Sequence, residues 1–146
     1  PSDRSNQAFN TKNTGYLQVL LSIYMERFPG KTECISEKLL SITDYISSNY
    51  ADTKLAVDEL SKKFWISRSQ LYREFIKGFG MPPSRYINQF RILKAIQMFK
   101  QGERNIEVIS RSVGYSDRFY FWRVFKKITG KSPKDFRNSV DSFIGK

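Results

Sequence analysis

The sequence contains no histidine and a single cysteine, Cys34. Without histidine there is no imidazole general base, no His-centred triad and no His-containing zinc site. One thiol closes no disulfide framework, which fits a reducing cytoplasm, the expected location. No apolar run approaches the ~20 residues that a membrane span needs, and nothing reads as a signal peptide. No catalytic residue, metal or cofactor is therefore expected, and no membrane partner. Because it opens on Pro1 rather than Met, the chain reads as a fragment.

Hydrophobic residues make up 40% and aromatics 15%, enough to fill a core at 146 residues, so one domain or one domain plus an appendage is expected. The net charge of +11 is unevenly placed. From Ala56 to Lys146 there are 19 Lys and Arg against 8 Asp and Glu, whereas Pro1 to Leu55 holds 6 of each sign. Solvated charge usually alternates, so a one-sided excess points to a polyanion.

The most informative stretch is Ile106 to Arg137. It reads as a short helix, a tight turn at Gly114 and a second helix opening at Ser116 or Asp117. Ser110 is small where two steeply crossing helices approach, and Gly114 supplies the positive φ of the turn. Phe121, Val124, Phe125 and Ile128 fall at i, i+3, i+4 and i+7 and form one apolar stripe. Phe119, Trp122, Arg123 and Lys126 occupy the opposite face, with Arg118 in the first turn. The unit occurs twice. A shift of 50 residues places Leu71-Tyr72-Arg73 on Phe121-Trp122-Arg123, Phe75 on Phe125, Gly80 on Gly130 and Pro83 on Pro133. Before the turn the shift is 49, with Leu60-Ser61 on Ile109-Ser110 and Ile66-Ser67 on Tyr115-Ser116.

These residues resemble the DNA-binding domain of the arabinose-operon regulator (AraC/XylS) family of bacterial transcription factors. The resemblance runs from about Ile35 to Arg137. It is carried by Asp58-Glu59-Leu60-Ser61, Ser67-x3-Leu71-x3-Phe75, Gly80 and Arg91-Ile92-x2-Ala95-x2-Met98-Phe99, then by Ile106-x2-Ile109-Ser110-x2-Val113-Gly114-Tyr115. Phe121-x-Arg123-x-Phe125-Lys126-Lys127 and Gly130-x-Ser132-Pro133-x2-Phe136-Arg137 complete it. It implies an all-α fold: two homeodomain-like helix-turn-helix subdomains joined by a long linker helix. It also implies a regulator that acts as an activator, binds double-stranded DNA and engages RNA polymerase.

In chain order, Pro1 to Thr14 is a polar tail and Tyr16 to Phe28 an apolar helix ended by Pro29-Gly30. That helix packs on this domain or ends a missing N-terminal sensor domain, where the family places a homodimer surface. The expected divisions are residues 1–31 as appendage, 32–139 as DNA-binding domain and 140–146 as tail. Ile35 to Tyr50 should brace the first unit. Ser67 should cap its second helix, with Gln70 completing a capping box. Pro82-Pro83 starts a helix reaching about Lys100, roughly 27 Å long at ~1.5 Å per residue. With its ends added, that helix sets two units about one duplex turn apart, so two recognition helices would enter successive major grooves. Asn105 should cap the next helix, and the final helix should fray after Arg137.

Arg73 and Arg123 are the leading base readers, since a guanidinium pairs bidentately with guanine in the major groove. Arg68 and Arg118 stand between bases and phosphates. Ser69, Tyr72, Phe119 and Trp122 share the outward face, which in the family faces bases; lateral packing is the alternative for Tyr72 and Trp122. Lys62, Lys63, Ser67, Arg111, Ser116, Lys126 and Lys127 are the phosphate candidates. One departure stands out: Trp65 occupies the slot that Gly114 fills in the second unit. A bulky residue at positive φ is strained by roughly 1–2 kcal/mol, whereas a buried aromatic contributes about 1.5–3 kcal/mol. The expectation is therefore an indole packed into a first unit of altered pose. Trp65→Gly should then destabilise, and the second unit should leave the stronger footprint. Two other classes compete with this reading: a repair enzyme using Cys34, which lacks any His or second Cys partner, and an RNA or architectural binder. Paired helices at one-turn spacing disfavour the latter, because A-form major grooves exclude helices.

Overall fold

A computed structural model describes residues 35–145. The expected helix at Tyr16–Phe28, the polar tail and Cys34 lie outside the described residues. Seven helices and no strands appear among the described residues. They are α1 (Glu37–Asn49), α2 (Val57–Lys63), α3 (Arg68–Phe79), α4 (Pro83–Lys100), α5 (Ile106–Ser112), α6 (Arg118–Thr129) and α7 (Pro133–Ile144).

Each helix starts where the local chemistry places it. Ser36 Oγ accepts from Leu39 N, and Ser67 Oγ accepts from Gln70 N at 3.1 Å. Asn105 and Asp117 cap α5 and α6 through side-chain oxygens, so otherwise unpaired first-turn amides are satisfied. Asp117, rather than Ser116, takes the role that Ser67 plays in the first unit. The one-residue change of repeat spacing falls at that insertion.

The interior is two cores joined through one helix. Leu39, Ile42 and Ile46 of α1 pack with Leu60, Leu71, Phe75 and Phe79, and Tyr86, Ile87 and Phe90 of α4 close this first core. Ile92, Ala95 and Phe99 of the same helix enter the second core, with Ile109, Val113, Tyr115, Phe121 and Phe125. The linker helix is therefore apolar on two different sides, and the change of side falls at Arg91. Tyr45 of α1 donates to Glu59 Oε1 at 2.6 Å, and that bond to a carboxylate raises the phenol's pKa above its usual value, helped by desolvation.

Arg91 is 7% exposed. Its Nε donates to Tyr50 O at 2.9 Å and its Nη2 to Asp52 O at 2.8 Å, with a longer contact to Leu55 O. Burial lowers its pKa, and the neighbouring Tyr115 ring, Asp52 and Tyr120 oppose that shift. The guanidinium also lies under Gly114. A Cβ there would stand 2.3 Å from Tyr50 O and 2.9 Å from Arg91 Nε. Gly114 is thus required twice, for its φ of +95° and for the close approach of the first unit.

Three expectations need correction. The final helix does not fray after Arg137: it continues to Ile144, and Arg104 Nε pairs with Asp141 at 2.6 Å. Ile128 does not complete the core stripe and is 36% exposed, because α6 turns its last residues toward a surface cleft. Trp65 does sit at positive φ, +50°, but its side chain is 92% exposed. The turn itself matches its counterpart. Ile66 N donates to Ser61 O and Tyr115 N to Ser110 O, at 3.1 and 3.0 Å. The first unit keeps its pose, and the indole buries almost nothing that would offset the strain.

Two stability outcomes follow from these turns. Gly114→Ala should cost about 3 kcal/mol, combining strain with a clash against backbone, while Gly130→Ala, with open space around its Cβ, should cost roughly 1–2 kcal/mol. Equal losses in urea melts would refute the close-approach role of Gly114. Trp65→Gly should now stabilise the domain by about 0.5–1 kcal/mol, because strain relief exceeds the extra unfolded-state freedom of glycine. A lower melting temperature would mean that the indole packs after all.

Candidate nucleic-acid interface

α3 and α6 are built alike. Each has 12 residues, each is capped by a side chain at its start, and each ends at a left-handed glycine, Gly80 or Gly130. Their inward faces hold Leu71 and Phe75, and Phe121 and Phe125, with no exposure. That burial fixes which residues must face outward. On α3 these are Arg68, Ser69, Tyr72 and Arg73; on α6 they are Arg118, Phe119, Arg123 and Lys126.

The fifteen candidate side chains do not all stand free. Arg68 Nε pairs with Asp58 at 2.7 Å, across the turn of the first unit, although both remain largely exposed. Arg111 pairs with Glu107 one turn back on α5 at 2.9 Å. Lys63 Nζ lies 4.7 Å from the Tyr45 ring centre, and Arg118 lies over Phe119 at 5.4 Å. Trp122 is half-buried and packs on the second core, whereas Tyr72 is exposed. Lateral packing therefore applies to Trp122 and not to Tyr72. Phe119, 71% exposed, is the most prominent aromatic on α6. Ser67 is occupied in capping, while Ser69, Ser116, Lys62, Lys126 and Lys127 are exposed. Exposed ion pairs of this kind are worth at most about 1 kcal/mol in water, so Arg68 and Arg111 can exchange their partners for phosphate.

Arg123 has a distinctive place. Two grooves run along α6, and Arg123 lines both. One is bounded by Ile106, Arg118, Phe119, Trp122 and Arg137, the other by Arg85, Asn88, Tyr120 and Lys127. Arg123 is therefore on the ridge of the helix, its guanidinium 5.8 Å from the Tyr120 ring centre. Arg73 occupies the equivalent position of α3 and is also exposed. Sequence reasoning passed over Arg85 and Asn88. Their one available signal is a polar stripe, Arg85, Asn88 and Gln89, at turn spacing in the first half of the helix.

A family model described as a helix-turn-helix domain matches residues 60–139, more than half of the chain. The chain belongs to the AraC/XylS-type helix-turn-helix family. Among its relatives, the Msm operon regulatory protein of Streptococcus mutans is 33% identical over 135 residues, covering 88% of this chain and 48% of the relative. The transcriptional activator RhaS of Escherichia coli strain SE11 is 26% identical over 129 residues, covering 88% of this chain and 46% of RhaS. The chain spans about half the length of the curated relatives it matches. The fold is shared with the DNA-binding domain of the global transcriptional factor AdpA, solved in complex with a target DNA. That likeness has a TM-score of 0.68 at 18% identity, over 73% of this chain and 96% of the AdpA domain.

The ridge position makes a base-reading role for Arg123 distinguishable from a phosphate contact. Arg123→Ala should weaken binding to the preferred duplex by roughly 1–3 kcal/mol while leaving non-specific binding nearly unchanged. Lys126→Ala should weaken both equally. Gel-shift titrations against selected and unrelated duplexes decide it, and an equal loss for Arg123→Ala would make it a phosphate contact.

Proposed function

We propose that the described domain reads a bipartite duplex site from one face, with α3 and α6 seated in successive major grooves, and that it acts as a transcriptional activator. The observation that carries this reading is the duplication: two matched helices with exposed basic faces, held by one 18-residue helix. A linker of roughly 27 Å plus its ends suits the ~34 Å repeat of duplex DNA. Arg73 and Arg123, flanked by Tyr72 and Phe119, are the base readers, with Arg68, Ser69, Arg118 and Trp122 beside them. Lys62, Lys63, Ser67, Arg111, Ser116, Lys126 and Lys127 are the phosphate contacts. The AdpA domain was solved on DNA, and RhaS is named as an activator; both support the reading by kinship of fold and family.

Residues 32–139 make up the DNA-binding unit in this proposal. A homodimer formed through Tyr16–Phe28, or through a sensor domain elsewhere in the protein, is part of the same proposal. Contact with RNA polymerase would supply activation. No helix among the described residues is long and apolar enough to cross a membrane.

Selection of binding sites from random duplexes, followed by titration over a range of salt, tests the core of this reading. If about six phosphates are neutralised, log K should fall against log salt with a slope near −5. A slope shallower than about −2, or a selection that enriches no sequence, would overturn it.

A further inference from the structure

We propose that the linker helix is itself a DNA-binding element, with Arg85 and Lys127 holding the phosphate backbone that runs between the two half-sites. This rests on the reading of α3 and α6 as recognition helices and adds a third contact to it. A helix lying in a major groove has a phosphodiester strand on each side of it, since the groove is only ~12 Å wide. Arg123 marks the ridge of α6, so the two grooves beside it are where the two strands must run. The groove on the far side from α4 is lined by other cations, Arg104 and Arg137 among them. The other is walled by the first half of α4.

That second groove is chemically suited to a phosphate strand. Arg85 comes from α4, and Arg123 and Lys127 come from α6, with Asn88 and Gln89 as neutral hydrogen-bonding groups. No carboxylate is among its lining residues. Arg85 and Lys127 form no ion pair among the described residues, whereas Arg68, Arg104 and Arg111 each do. Asn88 is held in place: Tyr115 Oη donates to its Oδ1 at 2.9 Å, and its Nδ2 reaches Tyr120 Oη at 3.4 Å. The wall of the groove is thereby pinned to the second core. The location decides between occupants. The groove lies between the first half of the linker helix and α6, so a duplex that seats α6 in its major groove must run one strand along it. An acidic protein segment would satisfy the same charges without that geometric requirement.

The test uses the unmutated protein, Arg85→Ala and Arg85→Glu on the selected site and on an unrelated duplex. Arg85→Ala should weaken both by about fivefold and make the salt slope shallower by about 1, and Arg85→Glu should weaken both further. Ethylation of phosphates midway between the half-sites should block the unmutated protein and cease to discriminate for Arg85→Ala. Because Arg85 is exposed, melting temperature should not move. Unchanged affinity and slope would overturn the proposal, as would a loss of affinity accompanied by a lower melting temperature. Loss of transcription activation with DNA affinity intact would assign the groove to a protein partner and also overturn it. If the unmutated protein selects no duplex at all, the failure lies with the recognition-helix reading instead.

Discussion

One buried guanidinium sits where the two units meet. Arg91 stands where the linker helix passes from the first core to the second. A charge taken out of water is tolerated only when its hydrogen-bonding needs are met. Here they are met by backbone carbonyls of the connection between α1 and α2. The same group supports the turn of the second unit beneath Gly114 and faces the Tyr115 ring. One side chain thus ties the first unit's loop, the linker and the second unit's turn together. An arginine suits this task because its planar fork reaches two carbonyls at once, which a lysine point charge would not.

The cations of this protein divide by what surrounds them. Arg91 is withdrawn from solvent and bound to carbonyls that cannot leave, so it serves architecture. Arg73, Arg85, Arg123, Lys126 and Lys127 remain exposed on the faces of α3, α4 and α6 and keep their charge available for a polyanion. On a duplex, counterion release rewards exposed charges whatever the sequence, while specificity needs side chains that reach base edges.

The two units share a turn geometry yet differ in what occupies it. Gly114 is packed against backbone and can be nothing larger. Trp65 is held at a left-handed φ in open space. The hydrogen bonds from Ile66 to Ser61 and from Tyr115 to Ser110 keep both turns in the same form despite this difference. The fold enforces the turn from its two sides, through Leu60 and Leu71 buried in the first core, so local strain at Trp65 does not change the pose.

Most of the architecture is written in the sequence because it depends on local rules. Apolar periodicity determines the inward faces of α3 and α6, Ser67 and Asn105 determine where helices begin, and Pro83 determines the start of the linker. The repeat itself locates Arg73 and Arg123 in equivalent outward positions. What the sequence could not decide involves residues far apart in the chain. Whether Trp65 is buried depends on whether any other element comes near the turn, and none among the described residues covers it. Arg91 looks like any other cation until Tyr50 and Asp52, some forty positions away, are seen to bind it. Arg85 joins Lys127 at one groove only because the linker helix packs beside α6. Helical period and capping act within a few residues, whereas burial and charge pairing are properties of the packed chain.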